Sequence, residues 1–280
     1  MADQSDTDQD VQYLREVQYR DSTQVAKRAN LHVAYRTAPQ SGFDWFAPKA
    51  EWQPGQSVLD VGCGPGYLWE HIAAIAPEGL RLTLSDLSTG MVDEACARAV
   101  ATGRFAAVEG RVADARELPF ADGTFDVVVS TYALYHVPEP ATAVAELARV
   151  VSDDGTVAIM TNGPGHLREI QDVRTSVFGE RAAYDVNMTF APALAAGLLI
   201  EHFDDVTWSR YDDTLLVTDV DDLLAFMTSS PPATEATSAQ VEAMRTISLA
   251  RMERGGGVFS VSKDTGALIC RRRRGPRRTT

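Results

Sequence analysis

The chain has 280 residues, 45% of them hydrophobic and 23% charged, and its 39 acidic against 26 basic residues give a net charge of −13. That is the make-up of an ordinary globular protein with enough length to bury a sizeable core, either one large α/β domain with insertions or one domain plus a cap. It excludes a membrane helix, since no apolar run reaches about 18 residues, and it opposes nucleic-acid phosphates unless basic residues are segregated.

One such segregation exists, Arg271 to Arg274 with Arg277 and Arg278, but no aromatic residues are interleaved with it. It reads as a solvated basic tail over 271–280, and no nucleic-acid partner is expected. The start, MADQSDTDQD, is acidic and lacks the apolar core of a signal peptide. The three cysteines (Cys63, Cys96, Cys270) are widely spaced with no C-x-x-C, so neither a disulfide nor a bound metal is expected and a reducing cytoplasm fits.

In chain order, residues 1–10 are expected to be disordered. Residues 11–54 are expected to form an N-terminal helical cap, with one or two helices over 11–36, Ser22 as a helix cap, and the aromatics Phe43, Trp45, Phe46 and Trp52 packing it down. From Val58 apolar runs and helical patterns alternate. Strands are predicted at 58–62, 80–86, 105–110, 125–130 and 155–161, with helices at 66–76, 88–101 and 138–150 between them. That alternation predicts a doubly wound, mostly parallel sheet. After residue 163 helices are expected at 166–178, 191–199, 219–228 and 235–253 and strands at 205–210 and 214–218. Residues 258–262 and 267–270 read as a β-hairpin around Lys263-Asp264-Thr265-Gly266. The main domain is thus expected over 55–270, with insertions within 163–200 and 219–253. There is no internal repeat.

The most informative stretch is Val58-Leu59-Asp60-Val61-Gly62-Cys63-Gly64-Pro65-Gly66-Tyr67-Leu68. A strand that runs through a glycine turn into a helix brings backbone and little side-chain bulk to a ligand. A dinucleotide turn reads G-x-G-x-x-G; here the third glycine comes one residue early and Tyr67 takes its place. With Asp60 ahead of the first glycine, this segment resembles motif I of the class I S-adenosylmethionine-dependent methyltransferases. LTLSDLSTGM, the Asp114-Ala115 pair, LPFADGTFD, FDVVVSTYALYHV and GTVAIMTNGPGHL extend the resemblance over roughly residues 12–220.

The resemblance implies a Rossmann-like sheet of seven strands ending in a reversed strand, and a site for S-adenosylmethionine. Gly62, Cys63, Gly64 and Gly66 would take its methionine portion, oriented by Asp60, with Ser130 at the end of the fourth strand nearby. Asp86, about 20 residues on, would accept both ribose hydroxyls, and Leu87 and Met91 would pack beside sugar and base. Asp114 would accept from the adenine amine and Ala115 N–H would donate to the ring. Tyr19, Arg28 and His32 are candidates to cap the carboxylate, Arg28 as a bidentate partner.

Elements after strand five would shape the acceptor pocket, which points to Asn162, His166, Tyr184, Met188 and Phe190. Tyr135, His136 and Tyr35 are the candidate proton acceptors, with His166 a further base or orienting group. The Asn/Asp-Pro-Pro-aromatic motif of nucleic-acid amino-methyltransferases is missing, as is an acidic pair for a divalent metal. Ser152-Asp153-Asp154-Gly155 stands where the family more often has Lys/Arg-Pro-Gly-Gly, and is expected to be a turn. The implied activity is methyl transfer to an O, N or C atom of a small, apolar or aromatic metabolite, as in natural-product biosynthesis. A macromolecule methyltransferase, a non-catalytic S-adenosylmethionine-binding protein and, more remotely, an NAD-dependent oxidoreductase are the alternatives.

Overall fold

A computed structural model describes residues 22–182 and 186–273. The expectations for residues 1–10, for Tyr19, for Tyr184 and for residues 274–280 lie outside them.

The apolar runs of the chain's middle become five parallel strands: β1 (Ser57–Val61), β2 (Arg81–Asp86), β3 (Ala107–Val112), β4 (Phe125–Thr131) and β5 (Val151–Asn162). With β6 (Phe203–Tyr211) and β9 (Thr265–Arg273) they form a seven-stranded sheet of order β3-β2-β1-β4-β5-β9-β6, in which β9 runs antiparallel to both β5 and β6. Strands buried on both faces read as continuous hydrophobic runs, and β1 and β4 do so: Val58, Leu59, Val61, Val127, Val128 and Val129 are all buried. The sheet is the doubly wound, mostly parallel one expected, and the antiparallel pairing implied by the resemblance falls at its β6 end, where reversed β9 lies beside edge strand β6.

Helices cover both faces. α1 (Thr23–Tyr35), α2 (Gly42–Phe46), α3 (Tyr67–Ile72), α4 (Thr89–Ala101), α5 (Pro140–Val150), α6 (Arg168–Phe178), α7 (Pro192–Leu199), α8 (Val220–Met227) and α9 (Ser238–Arg254) follow in chain order. On one face Phe46, Trp69, Ile72 and Ala95 pack on Leu82, Leu84 and Val127; on the other Val144, Leu147, Leu199 and Phe203 pack on Leu59, Val61 and Val128. A third core joins Leu31 of α1 to Val173, Leu223, Met227, Met244 and Phe259 around a small sheet of β7 (Thr214–Val217) and β8 (Phe259–Ser262). Residues from the chain's start and from its later half thus build a single layer over the carboxyl ends of the strands. No helix among the described residues is long and apolar enough to cross a membrane.

Three expectations are corrected. The segments 258–262 and 267–270 are not a hairpin: β8 pairs with β7, whereas β9 enters the large sheet beside β5 and β6. Lys263 and Asp264 make the crossover, held by Asp264, whose backbone carbonyl accepts from Gly163 N–H at 2.7 Å and whose carboxylate accepts from Gly165 N–H at 3.1 Å. The Ser152–Gly155 segment is not a turn but the start of β5, with Val151 opposite Phe125 and a register shift between Phe125 and Val127. Gly155 fits there because a Cβ would lie 2.6 Å from Val151 and 2.7 Å from the Asp126 carbonyl. Finally, Arg271, Arg272 and Arg273 belong to β9 rather than to a tail. They face acids of neighbouring strands and loops, Arg271 to Glu51 at 3.0 Å, Arg272 to Asp205, Arg273 to Asp153 at 3.5 Å.

Candidate active site

The chain leaves β1 toward β2 and β3 and returns to β4 on the other side of β1, so the carboxyl ends of β1 and β4 form the topological switch point where ligands of such sheets bind. A cavity of about 720 Å³ opens there, lined from the end of β2 across to the end of β6.

At its near end the glycine loop does something other than offer free donors. Gly62 N–H and Cys63 N–H both donate to the Ser85 carbonyl, at 2.8 and 2.9 Å, and Gly64 N–H donates to the Asp86 carboxylate at 3.0 Å. What the loop presents is bare backbone. Gly64 has φ +51° and nothing within 4 Å of where a Cβ would stand, whereas a Cβ on Gly62 would lie 2.3 Å from that of Ala133. Gly66, at φ +80°, lets α3 approach α4, since a Cβ would come within 2.8 Å of Ala95. It lies behind the cavity wall and not on it.

Asp86 closes β2 with one oxygen on Gly64 N–H and the other on Ser88 N–H, each at 3.0 Å; burial raises its pKa against those bonds. Each carboxylate oxygen keeps acceptor capacity toward the cavity. Asp114 also lines the cavity but is gripped by the Arg116 fork at 2.8 to 3.2 Å; burial alone would raise its pKa, and the arginine outweighs it and holds the carboxyl below its ordinary value. Leu87, Ala115, Cys63 and Arg28 complete this end. Asp60 does not reach the cavity. It is fully buried beneath the loop, accepting from Trp69, and burial pushes its pKa up to about 7. Ser130 is likewise interior, its hydroxyl donating to the Val61 carbonyl at 2.8 Å, and Met91 is core at 1% exposure.

The far end is built by register. Asn162 at the end of β5 and Tyr211 at the end of β6 both stand opposite Thr265 of β9, and Tyr132 follows β4 with φ +58° and its N–H on the Met160 carbonyl at 3.0 Å. Above this row stand His32 of α1, stacked on His166 at 6.2 Å and edge-on to Phe226 at 5.9 Å, and the Tyr135–His136 pair at 4.7 Å. Burial holds these imidazoles neutral. His32 falls to about 3, with Lys263 adding to the effect; His136 falls to about 4, helped by Arg28; His166 falls well below its usual range. Lys263 lines the cavity and pairs with buried Asp213 at 2.8 Å, which also accepts from Thr37 and Ala38 N–H.

Among the acceptor and proton-transfer candidates, Asn162, His166, Tyr135 and His136 line the cavity. Tyr35, Met188 and Phe190 do not. The Tyr35 hydroxyl donates instead to the Asp222 carboxylate at 2.6 Å, an exposed pair between the end of α1 and α8. Met188 is 52% exposed, and Phe190 is fully buried in the core beneath β5, its carbonyl accepting from Thr161. Sequence reasoning missed Arg36, Tyr132, Tyr211 and Lys263, which long-range pairing brings to the wall. Tyr132 alone carried a signal, its place at the carboxyl end of a parallel strand. Among the described residues no group of three or more His, Cys, Asp or Glu side chains is placed to hold a metal ion.

A doubly wound sheet thus carries a bare glycine cradle and a carboxylate closing β2 at one open cavity, and comparison with known proteins shows what this arrangement resembles. Residues 59–159 match the family model described as "Methyltransferase domain". A malonyl-[acyl-carrier protein] O-methyltransferase of Serratia marcescens is 34% identical over 131 residues, covering 46% of this chain and 47% of that protein. A ubiquinone/menaquinone biosynthesis C-methyltransferase of Ruegeria sp. is 34% identical over 117 residues, covering 42% of this chain and 45% of that protein. The chain therefore spans about half the length of these curated relatives. Among solved structures, the YcgJ protein of Bacillus subtilis superposes with a TM-score of 0.58 at 18% identity, covering 84% of this chain and 99% of that one. The [4+2]-cyclase SpnF superposes at 0.55 and 17% identity, covering 92% of this chain and 95% of that one. A Haemonchus contortus phosphoethanolamine N-methyltransferase in complex with S-adenosyl-L-methionine gives 0.58 at 17% identity, covering 95% and 60%. Residues 59–159 thus carry the match to the methyltransferase family model, and one solved neighbour of this fold holds S-adenosyl-L-methionine. The residues present fit that cofactor: the Gly64 cradle is open, and Asp86 faces the cavity with acceptor capacity to spare.

Proposed function

We propose that the protein moves a methyl group from S-adenosylmethionine to an O, N or C atom of a small metabolite with an apolar or aromatic body. The observation that carries this reading is the continuity of the cavity from the Gly62–Gly64 loop and Asp86 to the Tyr132, Asn162 and Tyr211 row. When bound, the cofactor supplies a sulfonium-activated methyl group. The chain's own contribution is placement and exclusion of water, a mode of catalysis that supplies on the order of 7–11 kcal/mol when both reactants are held in line.

In this reading Gly62 and Gly64 let the cofactor lie against the backbone, Asp86 accepts from the ribose hydroxyls, and Asp114 with Ala115 holds the base. Arg28, whose guanidinium already donates to the Ser229 carbonyl at 3.1 Å, caps the carboxylate. Neutral His136 is the proton acceptor for an acceptor atom that must lose one, and Tyr135 orients it; such a base adds about 10²–10⁴-fold. The two relatives are named for O- and C-methylation, so both atoms remain in the reading. An intermediate of natural-product assembly, handled in the cytoplasm, is the acceptor this reading favours.

Calorimetry with S-adenosylhomocysteine and with NAD tests the cofactor assignment, and only the former is expected to bind. Methyl incorporation across a panel of metabolites then tests the reaction; incorporation confined to an RNA or a charged peptide would sink the small-acceptor reading. A second reading, cofactor binding without methyl transfer, gains weight because a neighbour of this fold is a [4+2]-cyclase. An Asp86→Ala variant that loses S-adenosylhomocysteine yet keeps full biological activity would favour it.

A further inference from the structure

We propose that Arg36 is the anion-binding residue of the acceptor half of the cavity, and that the acceptor is an amphipathic acid, an apolar or aromatic body bearing a carboxylate. This deepens the methyl-transfer reading above and rests on it.

Among the described residues the cavity's carboxylates, Glu70, Asp86 and Asp114, all belong to the end built from β1, β2 and β3 and the helix after the glycine loop, where Arg116 and Arg28 are the cations. Two of them are already answered by arginines, Glu70 by Arg98 at 2.8 Å and Asp114 by Arg116. The opposite end carries Lys263 and Arg36 and no carboxylate, and the two differ in what they hold. Lys263 is matched by Asp213. Arg36 lines the cavity, and its guanidinium makes no hydrogen bond or ion pair with any described residue. A half-buried, unanswered guanidinium inside a protein of net charge −13 calls for an anion from outside the chain.

The cofactor is not that anion. Arg36 forms a backbone bridge with Leu215 of β7 and lies close enough to Tyr211 and Lys263 for its charge to lower the pKa of each. Tyr211 ends β6, four strand positions from the β1 loop, which is about 19 Å at a spacing of about 4.8 Å per strand. The planar fork of a guanidinium matches a carboxylate bidentately. The same cavity is also lined by Phe43, Phe226 and Leu134, and these apolar side chains set the body of the ligand. The stacked neutral rings of His32 and His166 each bury an Nδ1 with no partner, hydrogen-bonding capacity that a second polar atom of the same ligand would use.

The test is ligand-observed NMR on the full chain saturated with S-adenosylhomocysteine, using benzoate, cinnamate and decanoate frames each presented as carboxylate, primary amide and phosphate ester. The carboxylate is expected to bind about 10- to 100-fold more tightly than the amide. Arg36→Gln should erase that preference, Arg36→Lys should keep part of it, and neither should change the affinity for S-adenosylhomocysteine. Equal binding of acid and amide, no binding of any acid, tighter binding of the phosphate, or a preference that survives in Arg36→Gln would overturn the proposal. Should S-adenosylhomocysteine itself not bind, it is the methyl-transfer reading that fails, and the acid–amide comparison on the free protein still decides the role of Arg36.

Discussion

Trp69 on α3 donates its indole N–H to Oδ2 of Asp60 on β1 at 2.8 Å, both side chains fully buried beneath the glycine loop. The second oxygen, Oδ1, has no partner. A carboxyl that accepts one hydrogen bond in a dry site is better off protonated, and burial, with the Asp86 charge adding to it, lifts its pKa to about 7 against the Trp69 bond.

The consequence is a pH dependence of unusual sign for an acid. With the folded pKa above the unfolded one, the native state holds the extra proton, so the stabilisation is complete below about 3.8 and is lost as pH rises through about 7. Asp60→Asn keeps the acceptor for Trp69 and removes the titration. Its advantage over the wild type is expected to grow between pH 5 and pH 8, reaching on the order of 2–4 kcal/mol. Urea melts at the two pH values measure it; an advantage that stays constant would show that Asp60 does not titrate there.

The buried histidines pull the other way. His136 at about 4 and His32 at about 3 lie below their unfolded values, so their contribution is present above about 6.5 and lost as pH falls. Replacing either by Gln should flatten the acid limb of the stability profile by on the order of 2 kcal/mol between pH 7.5 and 5. If His136 accepts the acceptor's proton, kcat/KM should hold its value through pH 6 and decline only nearer pH 4, whereas an inflection at the ordinary histidine value would remove His136 from that role.

The parts of the molecule legible in the sequence are those set by local pattern. Strands β1 to β4 are apolar runs between turn signals, and Asp86 and Asp114 follow from their place after such runs. The acceptor wall is different in kind. Arg36 meets Leu215, and Asp213 meets Lys263, through pairings far apart in sequence that no local window contains. The false hairpin has the same origin: two short strands joined by a turn-like Lys-Asp-Thr-Gly each found a better partner elsewhere. Tyr35 and Phe190 failed because residues distant in sequence take them, Tyr35 the Asp222 carboxylate of α8 and Phe190 the core beneath β5.

Two glycines of the loop should separate folding from binding. Gly62→Ala sets a Cβ against Ala133 at 2.3 Å and strains φ +73°, so it is expected to destabilise by on the order of 2–3 kcal/mol. Gly64→Ala meets nothing within 4 Å and suffers only its φ of +51°, about 1 kcal/mol. Its new methyl group, though, occupies the cradle. Calorimetry should therefore show Gly64→Ala losing at least about tenfold in affinity for S-adenosylhomocysteine while its melting temperature stays near the wild type's. Unchanged affinity would place the cofactor off this turn.

The buried pair at the far end of the cavity offers a test by asymmetry. Asp213 accepts from Lys263 at 2.8 Å, and from the backbone N–H groups of Thr37, Ala38 and Thr214 at 2.9 Å each. Removing the carboxylate orphans those donors and leaves an ammonium inside the protein, so Asp213→Ala should cost on the order of 3–5 kcal/mol. Lys263→Met leaves Asp213 with its three backbone donors and should cost much less. Because the ammonium's burial is unfavourable only when its partner is gone, the double variant should be more stable than the two losses added together, by on the order of 1–3 kcal/mol. Urea unfolding of the four proteins closes this cycle. Strict additivity would mean that Asp213 ties the β6–β7 turn to residues 37–38 without holding Lys263 at the cavity wall.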